Sequence, residues 1–229
     1  MSHQGGISAL VSWSGGKDCY TALRAWKQSG NSIGGLLTRV VRPLDRSQMH
    51  GVSLSLLEAQ ARALALSFHC ANIPAPEGTP SDSKTAFPSN VVYKRVLNST
   101  LETIREKTGL NDLVFGDIGP AEIATWQRDA LAPSHFNLHF PLLGKPTAEV
   151  AKEFIRSGGE AIIVCVNTDV LSESFLGMKY DEEFLSRIPA GVVDPAGEAG
   201  EFHSFVINGP DFTHRLSVSV VPSSITHQG

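Results

Sequence analysis

Ser14-Gly15-Gly16-Lys17-Asp18-Cys19 puts a hydroxyl, two glycines, a cation and a carboxylate into one turn. The turn follows a short apolar run over residues 7–12, the pattern of a buried strand. After it, Tyr20, Ala22, Leu23 and Trp26 recur at helical spacing until Gly30 supplies a stop. Glycines let the backbone turn tightly and bring its N–H groups close to a ligand. A helix N-terminus adds unpaired donors and partial positive charge. Lys17 contributes a full charge, and Asp18 can hold a divalent cation against the same phosphates. The chemistry expected is the gripping of a phosphate chain. It is not a Walker A loop, because Val11 stands where that motif needs its first glycine and Asp18 where it needs Ser or Thr.

Two further stretches carry candidate groups. Gly116-Asp117 follows the apolar run 112–115, and a carboxylate there needs a partner or a cation. Residues 194–205, Asp-Pro-Ala-Gly-Glu-Ala-Gly-Glu-Phe-His-Ser-Phe, pack three carboxylates and a histidine into a glycine-rich turn before a strand. Cys19, at a helix start, is expected either to have a lowered pKa that favours a reactive thiolate or to pack as a small polar side chain.

Elements that would position these groups follow from periodicity. Strands are expected over 7–12, 33–41, 67–73 and 112–115, and through Phe136, Leu138 and Phe140. Helices are expected over 53–65, 91–107 and 121–131, with a proline-rich loop over 74–89 between the third strand and the helix from 91. Such alternation implies a parallel sheet flanked by helices, α/β and Rossmann-like, with ligands beyond the carboxyl ends of its strands. The turns at 14–19 and 116–117 are therefore expected to meet. From 142 the pattern shifts to helices at 147–157 and 182–187 and strands at 161–166, 202–207 and 215–220, read as a smaller α+β subdomain. The division is placed at 1–141, which carries the phosphate turn, and 142–229.

The motifs together resemble the PP-loop ATP pyrophosphatases of the N type. Within that group, Trp13, Met49-His50-Gly51, Gly116-Asp117-Ile118 and the run 197–205 resemble the diphthine–ammonia ligase family and its prokaryotic relatives. The resemblance implies a HUP-like fold and an ATP-dependent amide ligase using ATP and Mg²⁺. A carboxylate is adenylated with loss of pyrophosphate, and free ammonia displaces AMP. In that family the carboxylate belongs to diphthine on translation elongation factor two. It implies a nucleotide site of Ser12, Ser14, Gly15, Gly16, Lys17, Asp18, Cys19, Leu37, Thr38, His50, Gly116 and Asp117. Lys17, Asp18 and Asp117 take the catalytic roles, Asp18 the metal, and Leu37 and Thr38 the adenine. Glu198, Glu201 and His203 face the second substrate. Ile123, Ala124 and Ala196 depart from the family pattern, where His, Arg and Cys are common.

Composition narrows the classes. Hydrophobic content of 41%, charged content of 18% and a net charge of −4 describe an ordinary globule with no general attraction to nucleic acid or anionic membrane. Three cysteines, Cys19, Cys70 and Cys165, form no C-x-x-C pair, which fits a reducing compartment. No apolar run approaches the roughly 20 residues that span a bilayer, and a cytoplasmic location is expected. A homodimer is left open. Two rivals remain: a tRNA-modifying PP-loop enzyme such as a thiolase, and a nucleotide-binding sensor without catalysis.

Overall fold

The computed structural model describes residues 6–48, 51–80, 83 and 86–219. In chain order the elements are β1 (Ser8–Ser12), α1 (Lys17–Gln28), β2 (Ser32–Arg42), β3 (Arg46–Ser47), α2 (Leu54–Ala63), β4 (Phe68–Pro74), α3 (Asn90–Thr108), β5 (Asp112–Val114), α4 (Ala121–Leu131), β6 (Asn137–His139), α5 (Thr147–Arg156), β7 (Glu160–Val166), α6 (Glu182–Arg187) and β8 (Phe202–Asn208). β4, β2, β1, β5 and β6 lie side by side, each parallel to its neighbour. β3 adds a short antiparallel pairing at Val40 and Val41. β7 and β8 form a separate antiparallel pair. The α/β, Rossmann-like expectation is met.

Alternation along β1 shows why the sheet is covered twice. Ala9, Val11 and Trp13 enter one buried cluster with Tyr20 and Leu23 of α1 and Leu57 and Ala61 of α2. Leu10 enters another with Leu97, Leu101 and Ile104 of α3 and Leu131 of α4. Strand side chains point alternately to the two faces, and both faces are dry. Each of the larger of these side chains, such as Val11, Leu10 or Leu57, contributes about 1.5–3 kcal/mol relative to exposure.

The first cluster also takes in Phe154 of α5, Tyr180, Phe184 of α6, and Phe202 and Phe205 of β8. Phe154 meets the edge of Tyr20 with ring centroids 6.1 Å apart. The sequence-based division at 141/142 thus separates segments that share one buried cluster.

The strand expected over 215–220 is absent among its described residues. Leu216, 8% exposed, donates one backbone bond to the Ile207 carbonyl at 2.8 Å, and no ladder follows. Between β4 and α3 the described residues carry no helix or strand. Ser89 starts α3 by accepting from the Val92 N–H, and Gly109, at φ 73°, ends it. No helix among the described residues is long and apolar enough to cross a membrane.

Candidate active site

The chain leaves β1 for β2 and β4 on one side, then returns to β5 and β6 on the other, so the strand order reverses between β1 and β5. In sheets of this kind ligands bind in the crevice outside the carboxyl ends at that reversal. A cavity of about 630 Å³ opens there, lined by Ser14, Lys17 and Asp18 from the first turn, by Asp117 after β5, and by Glu198 and His203 from the C-terminal part. The two turns expected to meet do so. A methyl group at Gly116 would lie 2.7 Å from the Cys19 nitrogen and 2.8 Å from the Asp18 carbonyl carbon, so only glycine permits the approach.

The first turn is fixed from behind. Gly15 adopts φ 85°, and Gly16 caps α1 in extended conformation. The Gly15 carbonyl accepts from the Val206 N–H at 2.9 Å and from Gln60 Nε2 at 2.9 Å. Gln60, fully buried in α2, also donates to the Val206 carbonyl at 2.7 Å and accepts from Trp13 Nε1 at 2.8 Å. Trp13 in turn donates its N–H to the Leu37 carbonyl and accepts from Thr38 Oγ1, both at 2.8 Å. Gln60 was missed by sequence reasoning. The signal available was an amide among alanines and leucines on a helix's buried face.

Gln60→Leu leaves the buried Trp13 indole N–H without its acceptor and takes one donor each from the Gly15 and Val206 carbonyls, Gly15 keeping its bond from the Val206 N–H. Each unsatisfied group costs about 1–3 kcal/mol. Unfolding in denaturant is expected to show a loss of about 3 kcal/mol, with affinity for ATP falling alongside.

Leu37 and Thr38 do not line the cavity. Leu37 sits in the second buried cluster, and both residues bond to Trp13 instead, holding the turn from beneath. His50 lies outside the described residues. Of the N–H groups expected to hold phosphates, Gly16 donates to Ser14 Oγ at 3.4 Å and Lys17 to Ser204 Oγ at 3.2 Å. A phosphate oxygen would therefore take these donors over from hydroxyls.

Lys17 is 3% exposed. Its ammonium donates to both Asp18 oxygens at 2.9 Å and to the Ala196 carbonyl. The rings of Tyr180 and Phe202 lie 5.4 and 5.5 Å away. Ala196 thus serves through its backbone. Cys19, 4% exposed, donates to the Gly16 carbonyl at 3.1 Å. Burial pushes its thiol pKa up, outweighing hydrogen bonds from Ser14 and Gly15. The lowered pKa considered from its helix position is overturned, because the helix end lies inside the fold, and the thiol packs as a small polar group.

The carboxylates differ in role. Burial raises the pKa of Asp117, opposed by the Arg39 charge and reinforced by Asp18. Glu198 is pushed up to about 7, first by burial and then by Asp18, against the Lys17 charge and a bond from the Gly119 N–H. Glu201 does not face the cavity. It is 5% exposed, with Oε1 accepting from the Asp194 N–H at 2.8 Å and Oε2 from the Ala199 N–H at 3.0 Å. Both its oxygens are spent closing their own loop. Burial, helped by the Lys17 charge, lowers His203 to about 4, so it is neutral at pH 7. Arg39, also unforeseen, reaches the cavity from β2, donating to Tyr93 Oη at 3.0 Å and Ser12 Oγ at 3.2 Å. An arginine within the run Leu-Leu-Thr-Arg-Val-Val was the available clue.

Among the described residues no three His, Cys, Asp or Glu side chains are arranged to hold a metal. A magnesium ion carried by a triphosphate needs only one or two protein carboxylates, with waters and phosphate oxygens completing its shell. Asp18, 28% exposed on the cavity wall, fits that need.

The sheet order and the crevice define the class, a Rossmann-like α/β protein with an open cavity at its switch point. Over residues 146–227, less than half of the chain, the sequence matches the family model described as the diphthamide synthase C-terminal domain. That match bears out, for this segment, the resemblance read from the motifs. No curated protein matches the chain. Among solved structures, the U34-tRNA thiolase NcsA from Methanococcus maripaludis with its 4Fe–4S cluster is similar at 11% identity and a TM-score of 0.39. The likeness covers 64% of this chain and 55% of that one, so the chain spans about half the length of the thiolase.

Proposed function

We propose that the chain is a PP-loop ATP pyrophosphatase of the diphthine–ammonia ligase kind, an amide ligase that adenylates a carboxylate and hands the acyl group to ammonia. The observation that carries this reading is the junction of three segments at one crevice. The Ser14–Cys19 turn, the Gly116–Asp117 turn and the glycine-rich loop before β8 all border the same cavity. The family match over residues 146–227 supports the third of these. The acceptor implied by the resemblance is diphthine on translation elongation factor two.

In this reading an oxygen of the acceptor carboxylate attacks the α-phosphorus of ATP, and the bond to the bridging oxygen of pyrophosphate breaks. Lys17 and the N–H groups at the start of α1 stabilise the charge on the departing pyrophosphate. Preorganised groups aimed at developing charge supply the largest share of such catalysis. Magnesium, when bound, neutralises triphosphate charge, and Asp18 is the residue that would hold it. Ammonia then attacks the acyl carbon, AMP leaves, and Glu198 takes the proton released. Neutral His203, at the same wall, accepts or donates a hydrogen bond without adding charge.

The test is product analysis. Incubation with ATP, magnesium, ammonia and a panel of carboxylates is expected to give AMP and pyrophosphate in equal amounts, dependent on both ammonia and acceptor. ADP as product, or pyrophosphate release indifferent to the acceptor, would overturn the reading.

Glu198 supplies a pH signature. In the fold its carboxyl is protonated below about 7 and ionised above, so a proton-accepting role makes the rate rise through that range. With free ammonia held constant at each pH, AMP formation by the wild type is expected to show this limb. Glu198→Gln is expected to lose it, with a rate lower by about 10²-fold.

A further inference from the structure

Lys17 shares the cavity wall with a second cation. Arg39 reaches it from β2, donating from Nη1 to Tyr93 Oη at 3.0 Å and from Nη2 to Ser12 Oγ at 3.2 Å. Both partners are neutral hydroxyls on buried residues. Lys17 has Asp18, and Arg24 and Lys27 share Asp211, but among the described residues no carboxylate lies within ion-pair distance of Arg39. Its Nε is unpaired and is not sealed from solvent. A guanidinium carries five N–H donors in a fixed fork, so two hydroxyls leave most of it unused. A charge withdrawn into a crevice between neutral groups is costly until an anion joins it.

Position and chemistry choose the anion. Ser12 is the last residue of β1, directly before the phosphate turn. The Arg39 charge also acts on Asp117, where it opposes the effect of burial. Arg39 therefore belongs to the junction of the two turns. In the reaction proposed above, Lys17 and the start of α1 hold the pyrophosphate half of ATP, which leaves the α-phosphate as the nucleotide's remaining anion. Charge grows on its non-bridging oxygens as the carboxylate oxygen bonds to phosphorus and the bridging oxygen departs. A charge also persists there in the acyl adenylate and in AMP, so a guanidinium on that phosphate is matched at every stage. On the acceptor carboxylate it would weaken the nucleophile and lose its partner once the acyl bond forms.

We propose that Arg39 grips the α-phosphate of the nucleotide, as a catalytic residue additional to Lys17 and Asp18. This rests on the ligase reading above. The fork can meet two phosphate oxygens at once, which a lysine ammonium does not match. Loss of one charge-assisted contact of this kind is worth roughly 10- to 100-fold in affinity.

The test titrates AMP, adenosine and inorganic pyrophosphate separately into the full chain with magnesium. The wild type is expected to bind AMP at least tenfold more tightly than adenosine. Arg39→Met is expected to erase that preference and to keep its affinity for pyrophosphate, while Arg39→Lys keeps only part of the preference. The preference is a ratio taken on one preparation, so a loss of folded protein does not mimic its disappearance. A preference that survives in Arg39→Met would reduce Arg39 to a bridge between β2 and α3 and overturn the proposal. If the KM for the acceptor then rose tenfold, the guanidinium would belong to the carboxylate, and the proposal would be overturned equally. A wild type that binds pyrophosphate but does not prefer AMP to adenosine would overturn it while leaving the ligase reading intact. Failure of the wild type to bind either AMP or pyrophosphate would remove both readings together.

Discussion

Lys17→Met is expected to lower pyrophosphate release by about 10²–10³-fold, the usual loss when one group aimed at developing charge is removed. Its melting temperature is expected to fall only slightly, by the loss of the one donor to the buried Ala196 carbonyl. The two parts follow from one geometry. Lys17 is 3% exposed and lies beside two aromatic rings, so an unbranched apolar side chain fills the space it leaves. Its partner Asp18 is 28% exposed and can be solvated once the ammonium is gone. Loss of turnover with an intact fold separates a charge role from a packing role. Steady-state pyrophosphate release and a thermal melt on the same preparation check it, and turnover within threefold of wild type would contradict it.

Gly116→Ala carries the second large effect. The new methyl would meet the Cys19 nitrogen and the Asp18 carbonyl at 2.7–2.9 Å, and both are backbone atoms that cannot swing aside. Either β5 or the start of α1 must move, and inserting a methyl into a packed contact costs about 1–3 kcal/mol. A displacement of the reacting groups by about 1 Å costs on the order of 10²-fold in rate. The variant is therefore expected to lose both stability and turnover. Gly119→Ala, three residues on and with open space around its added methyl, is expected to melt like the wild type. Denaturant unfolding of the two variants side by side reads the contrast.

Much of this site was legible in the sequence because glycine, lysine and aspartate at a strand-to-helix turn have few structural uses. The alternation of strands and helices then placed Asp117 beside that turn. What stayed hidden depended on tertiary neighbours. Gln60 joins Trp13, Gly15 and Val206, residues from both ends of the chain. Glu201 looks like a site carboxylate by spacing, but its two oxygens close the loop that carries it. Cys19 sits where a helix dipole lowers a thiol pKa, yet burial acts in the opposite direction and wins. Leu216 and Val218 suit a strand, but a strand needs a ladder, and among the described residues of that segment one backbone bond, from the Leu216 N–H, is made. Short pairings such as β3 leave no periodic trace in the sequence.

The most direct measurement is an equilibrium titration of the protein with magnesium and a non-hydrolysable ATP analogue, repeated with inorganic pyrophosphate as competitor. The account predicts one saturable site, displaced by pyrophosphate and lost in Lys17→Met. Absence of saturable binding, or binding indifferent to both pyrophosphate and Lys17, would contradict it.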